Sequence, residues 1–161
     1  MTDSDQSASP TTTEEKAAIL LPPLAVVVDD EPANRDFLER LIQQANYQTR
    51  GASSGEEARA VVKNLQAPPA VVLIDSELPD VKGVDLIAEF RQKYPTTKLV
   101  MATMLDDRDV IHKAFDNGCD VFLVKPHGFM ELFKRLQRLK DDPNALNRLI
   151  IDIYGTRDFK S

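Results

Sequence analysis

The residues able to do chemistry stand directly after short apolar runs. Asp29, Asp30 and Glu31 follow Leu24–Val28, Asp75 follows Ala70–Ile74, Thr103 follows Lys98–Ala102, and Lys125, then Pro126, follow Val121–Val124. Neighbouring carboxylates repel and push one another's pKa upward unless a cation compensates. Mg²⁺ is the natural cation, because it prefers oxygen ligands and commonly joins one or two carboxylates to a phosphate. Three aspartates are balanced by one Mg²⁺ and Lys125. A phosphoryl group on Asp75 would then be held by the metal, by Lys125 and by the Thr103 hydroxyl, with an aspartate as the activated nucleophile. Taken alone, Asp29 and Asp30 fit a solvated turn or a helix cap as well as a metal site, so the weight rests on the full set.

These residues must be gathered by the elements that carry them. Five apolar runs alternate with five helix-like stretches, the pattern of a parallel sheet covered by helices on both faces. The strands are expected at Leu24–Val28, Gln48–Ala52, Ala70–Ile74, Lys98–Ala102 and Val121–Val124. The first and third are apolar on both sides of the pleat, which marks the middle of the sheet. Helical spacing joins Phe37, Leu38, Leu41, Ile42 and Ala45, then Ala58, Val61, Val62 and Leu65, with Ser54 and Glu57 as a capping box. Ile87 and Phe90 anchor a third helix; Val110, Ile111, Ala114 and Phe115 a fourth, with Gly118 to end it; Phe129, Leu132, Phe133, Leu136 and Leu139 a fifth. Open parallel sheets bind ligands beyond the carboxyl ends of their strands, where the polar residues above lie.

Composition narrows the field further. The length of 161 residues suits one domain with arms, at about 150 residues per domain. A hydrophobic share of 42% is enough for a core without disulfides, and the single Cys119 and two histidines offer no cysteine- or histidine-rich metal site. A net charge of −6 is the wrong sign for gripping nucleic acid or anionic lipid, so neither direct nucleic-acid binding nor membrane insertion is expected. Residues 1–23 carry Asp3, Asp5, Glu14 and Glu15 against Lys16, which is half of that charge. They read as a disordered arm without a secretory signal, and the setting as cytoplasmic.

The stretch 24–140 resembles the receiver domain of bacterial two-component response regulators. It carries VVVDDE, LIDSELPDVKG, VMAT and VFLVKP in that family's order and at its intervals. The resemblance implies a flavodoxin-like sheet of order 2-1-3-4-5, Mg²⁺ binding by Asp29 and Asp30, and phosphoryl acceptance by Asp75. It implies a further metal ligand in the backbone carbonyl of Glu77, with Lys125 binding the phosphoryl group. It also implies that Thr103 and Phe122 act as the switch pair, and that Leu78, Pro79 and Gly83 form the loop into the third helix. The bond before Pro126 is expected to be cis. One departure is Met104, at a position where the family usually has a small residue; its bulk is expected to slow exchange with small phosphodonors and water.

The resemblance further implies a phosphoacceptor switch rather than a turnover enzyme, fed by a sensor histidine kinase or phosphotransfer protein. With only 21 residues after the receiver segment, output is expected through protein contact on the face of the fourth helix, fifth strand and fifth helix. Arg108, His112, Phe122, Lys134, Arg135 and Arg138 are the candidate positions there. In the tail, Asp142–Pro143 followed by Leu146, Leu149, Ile150, Ile153 and Gly155 describes an extra short amphipathic helix. So short a helix needs a surface: the body of the chain first, otherwise a partner or a second copy in a homodimer. The rival functions are a phosphorylation-independent adaptor, an aspartyl-phosphate phosphatase and a flavin carrier. The phosphatase needs acids two residues apart after the first strand, and the flavin carrier a phosphate-cradling loop that is absent.

Overall fold

The computed structural model describes residues 22–160; the expected arm lies almost wholly outside them. Seven strands form one sheet in the order β2-β1-β3-β4-β5-β6-β7. They are β1 (Leu24–Val28), β2 (Gln48–Ala52), β3 (Val71–Asp75), β4 (Lys98–Thr103), β5 (Val121–Val124), β6 (Leu149–Asp152) and β7 (Gly155–Asp158). All neighbours are parallel except the β6–β7 pair. The helices are α1 (Pro32–Gln44), α2 (Gly55–Lys63), α3 (Gly83–Lys93), α4 (Arg108–Asp116) and α5 (Phe129–Leu139).

Side-chain alternation along each strand divides the core in two. Ala25, Val27, Val71, Leu73, Val100, Ala102, Val121 and Leu123 pack with Leu38 and Ile42 of α1 and Leu132 and Leu136 of α5. Val26, Val28, Val72, Ile74, Leu99, Met101 and Phe122 face the other way, onto α2, α3 and α4. Both faces are thus covered, which is why the central strands are uniformly apolar. The expected order 2-1-3-4-5 is present, and the strand bounds agree to within one residue.

The expected C-terminal helix is not formed. Residues Pro143–Ala145 make one 3₁₀ turn, and the chain then runs into the β6–β7 hairpin. The apolar stripe fits two periods, and the sheet wins because β5 offers an open parallel edge on which β-branched residues pack well. Leu149 and Ile151 enter the α1–α5 core and Ile150 the opposite one, so alternate residues are buried on both faces. Ile153 is not on a buried stripe at all: with Tyr154 it forms the exposed hairpin tip, and Gly155 turns the chain at φ +112°. Gly128 makes room for β6, since a Cβ there would lie 2.7 Å from Leu123 and 2.9 Å from Ile151.

The hairpin also corrects the expected output face. β5 has no free edge, because Val121, Phe122 and Leu123 pair with Leu149, Ile150 and Ile151. Phe159 closes over α4: its ring lies 4.2 Å from that of Phe115 and 5.1 Å from His112, with the Arg148 guanidinium 5.1 Å away on the same ring. His112 is therefore partly covered rather than a plain surface residue, and Phe122 is fully buried. Arg135 is half-buried, bound to Glu131 at 2.8 Å and donating to the Ala145 carbonyl at 3.0 Å. Arg108, Lys134 and Arg138 stay exposed.

Candidate phosphoacceptor site

The parallel strands β1, β3, β4 and β5 end together, and they deliver the expected residues to one rim. Carboxylate oxygens of Asp29, Asp30 and Asp75 lie within 4.8 Å of one another. Asp29 is buried, Asp75 half-buried and Asp30 exposed. The Lys125 ammonium bridges two of them, 3.2 Å from Asp29 Oδ2 and 3.6 Å from Asp75 Oδ2. Burial pushes the Asp75 carboxyl above the ordinary carboxylate range; the Lys125 charge pulls it back, and the charges of Asp29 and Asp30 add to the rise. A site of oxygen donors with surplus negative charge suits Mg²⁺.

Local contacts hold these groups in place. Asp29 Oδ1 accepts from the Glu31 amide at 2.9 Å, and the Asp29 carbonyl accepts from Arg35 Nη1 at 2.8 Å. Pro32 opens α1 directly afterward, so the acidic turn is braced from the helix that follows it. On the other side of the rim, Gly83 lets α3 start against the end of β3: a Cβ there would meet the Asp75 carbonyl oxygen at 2.3 Å. The Gly83 amide donates to the Ser76 carbonyl at 2.9 Å. Glu77 is exposed, and its amide approaches Asp75 Oδ1 at 3.5 Å. The Lys125–Pro126 bond is cis, as expected.

Thr103 reaches the rim from the other face of the sheet than Asp75. It is buried at the end of β4, in the same alternation as Met101, and its hydroxyl shares a 2.7 Å hydrogen bond with Ser76 Oγ. It also accepts from the Leu105 amide at 3.1 Å. Met104 is exposed and, with Asn34, Phe37, Leu38, Lys125, Pro126 and Phe129, lines a cavity of about 200 Å³ beside the lysine. Sequence reasoning missed Ser76, Arg35 and Asp80. Asp80 caps α2 from a distance, accepting from the Gly55 and Glu56 amides at 2.8 and 2.9 Å, and these bonds hold its carboxyl below the usual range. Ser54 caps the same helix as expected, but Glu57 turns to Ser53 instead of completing the box.

Residues 25–137 match the family model of the response regulator receiver domain. The chain belongs to that family. It is 30% identical over 99 residues to the chemotaxis protein CheY of Thermotoga maritima, covering 61% of this chain and 81% of CheY. It is also 30% identical over 114 residues to the two-component response regulator ARR22 of Arabidopsis thaliana, covering 70% of this chain and 80% of ARR22. A third relative is the response regulator protein PilR of Pseudomonas aeruginosa, at 35% over 98 residues, or 61% of this chain but only 22% of PilR. The chain spans 47% of the transcriptional regulatory protein KdpE of Mycobacterium tuberculosis, so several of its relatives are much longer. Among solved structures, a CheY-like receiver protein of Methanospirillum hungatei shares the fold with a TM-score of 0.69 at 22% identity, covering 75% of this chain and 95% of that one. Vibrio cholerae CheY4 superposes with a TM-score of 0.66 at 26% identity, covering 73% and 98%.

Proposed function

We propose that this receiver domain accepts a phosphoryl group on Asp75 from a histidine kinase or phosphotransfer protein, in a Mg²⁺-dependent reaction in the cytoplasm. The observation that carries this reading is the convergence of Asp29, Asp30 and Asp75 within 4.8 Å, with Lys125 bridging two of them. An Asp75 carboxylate oxygen attacks phosphorus, the donor's bond to phosphorus breaks, and the leaving group departs with that electron pair. The product is an acyl phosphate on Asp75. Lys125 sits where it can neutralise a phosphoryl oxygen, and Thr103 supplies a hydroxyl donor to another. The carboxylates of Asp29, Asp30 and Asp75, with the Glu77 backbone carbonyl, would hold the metal. Bound Mg²⁺ would supply two positive charges to the phosphoryl oxygens.

The chain's part in signalling is that of a switch, with self-catalysed transfer and slow loss of the group. The signal leaves through protein contacts. With the β5 edge paired to β6, the surface left for a downstream partner is the exposed part of α4, the hairpin beside it and the outer side of α5. Among the described residues no helix is long and apolar enough to cross a membrane. Incubation of the purified protein with Mg²⁺ and acetyl phosphate is expected to add one phosphoryl mass, localised to Asp75, and Asp75→Asn is expected to add none. Full biological output from Asp75→Asn would instead establish a phosphorylation-independent adaptor.

A further inference from the structure

Ser76 directly follows the acceptor, and the reading above gives it no task. Its hydroxyl is nonetheless buried against the one hydroxyl that the reaction needs: Ser76 Oγ lies 2.7 Å from Thr103 Oγ1, with the two residues 9% and 1% exposed. The Thr103 oxygen has two partners in this arrangement, because it also accepts from the Leu105 amide, and in its bond with Ser76 either hydroxyl can be the donor. A threonine has a single hydroxyl proton. To bring it to a phosphoryl oxygen on Asp75, on the other face of the sheet, Thr103 must turn away from Ser76 whichever of the two hydroxyls donates.

Alternation along the strands places the competition. Ile74 and Met101 pack on the α2–α4 side, and Thr103 continues the alternation of Met101. Asp75 continues that of Leu73, on the α1–α5 side. The hydroxyl is therefore held on the side away from the acceptor. Beside Ser76 is a cavity of about 170 Å³, lined also by Lys82, Met101, Leu105, Val110 and Lys113. It is polar on one wall and large enough for water, so Ser76 keeps a hydrogen-bond partner when Thr103 leaves.

Resting on the phosphoacceptor reading, we propose that Ser76 is a positioning residue, acting through Thr103. It holds the threonine hydroxyl in the unphosphorylated orientation and so sets how readily the switch turns on. Phosphorylation exchanges a neutral hydrogen bond for a charge-assisted one, which is the stronger of the two. Losing the Ser76 bond lowers the threshold by the worth of one ordinary buried hydrogen bond, about fivefold in an equilibrium.

The test is titration with beryllofluoride in excess Mg²⁺, a stable stand-in for the acyl phosphate, followed by the shift of the Asp75 and Gly83 amide resonances, which every variant retains. Ser76→Ala is expected to bind the probe about fivefold tighter than the parent, and Ser76→Thr, which keeps the hydroxyl, to match the parent. In a Thr103→Ala background Ser76→Ala is expected to change nothing. Equal affinity for Ser76→Ala and the parent overturns the proposal, as does a change that persists without Thr103. A merely structural serine would shift the melting temperature and leave the probe affinity alone. If the parent itself takes up neither beryllofluoride nor a phosphoryl group, the phosphoacceptor reading fails first and Ser76 has no switch to set.

Discussion

The acceptor rim and the flank beyond β5 belong to one sheet, yet opposite physics holds them together. At the rim, three carboxylates gather around one ammonium that pairs with two of them, and burial drives the Asp75 pKa up instead of down. The rim is kept in place by braces from elsewhere, such as Arg35 on the Asp29 carbonyl and the bare Cα of Gly83. On the flank, Leu149, Ile150, Ile151 and Phe159 are buried among apolar neighbours on both faces, and this burial holds the hairpin to the domain. One region is a place where the fold spends stability on charge; the other is where it recovers it. A change at the flank should therefore cost stability and spare chemistry, and a change at the rim the reverse.

The largest expected effect is on the flank. Phe159→Ala removes the ring that covers Phe115 and His112, and should lower stability by about 3 kcal/mol, read from the urea midpoint at constant slope. The phosphoryl uptake rate of the fraction that remains folded should be unchanged. A parallel loss of uptake would show that rim and flank are not separable.

Next in size is the rim, where the sign reverses. Asp75→Asn should abolish uptake yet raise the melting temperature of the metal-free protein by about 2–4 °C. Burial raises the folded pKa of Asp75 above its unfolded value, so the ionised group destabilises the fold once pH exceeds the folded pKa. Below the ordinary carboxylate range both states are protonated and the penalty vanishes. The gain from Asn should thus be full at neutral pH and absent near pH 3, by calorimetry across that range; a destabilised Asn variant at neutral pH would contradict it.

The smallest effect concerns the entrance beside Lys125. Met104 is exposed and shares a cavity wall with Lys125 and Pro126. Met104→Ala should speed both acetyl phosphate labelling and loss of the phosphoryl group by about threefold, or roughly 0.7 kcal/mol in barrier. Equal rates would remove Met104 as a gate.

What could be read from the residues follows the same division. Asp29, Asp75, Thr103 and Lys125 were legible because each ends a strand whose apolar run announces it, and parallel strands bring such ends together. Ser76 escaped because a serine after an acceptor looks like any loop polar residue; its partner is 27 positions away. Arg35 and Asp80 act on backbone groups, which leave no trace in side-chain spacing. The tail was misread because Leu146, Leu149, Ile150 and Ile153 satisfy a helical stripe, while the three consecutive residues Leu149, Ile150 and Ile151 equally suit a strand buried on both faces. Only the open edge of β5 decides between them, and that edge exists only once the rest has folded.

The position of β6 has a consequence for synthesis. Strands β1 to β5 leave the ribosome before the hairpin does, so the nascent domain passes through a stage in which β5 presents an unpaired, apolar edge. Such edges invite pairing with other chains. A two-stranded hairpin forms within about 1–10 μs, far faster than residues are added, so β6 and β7 can reach that edge as a ready-made ribbon. Among the described residues the sheet then ends on a different border, the short Gly155–Asp158 strand with its arginine and aspartate, which is a poor template for a neighbour.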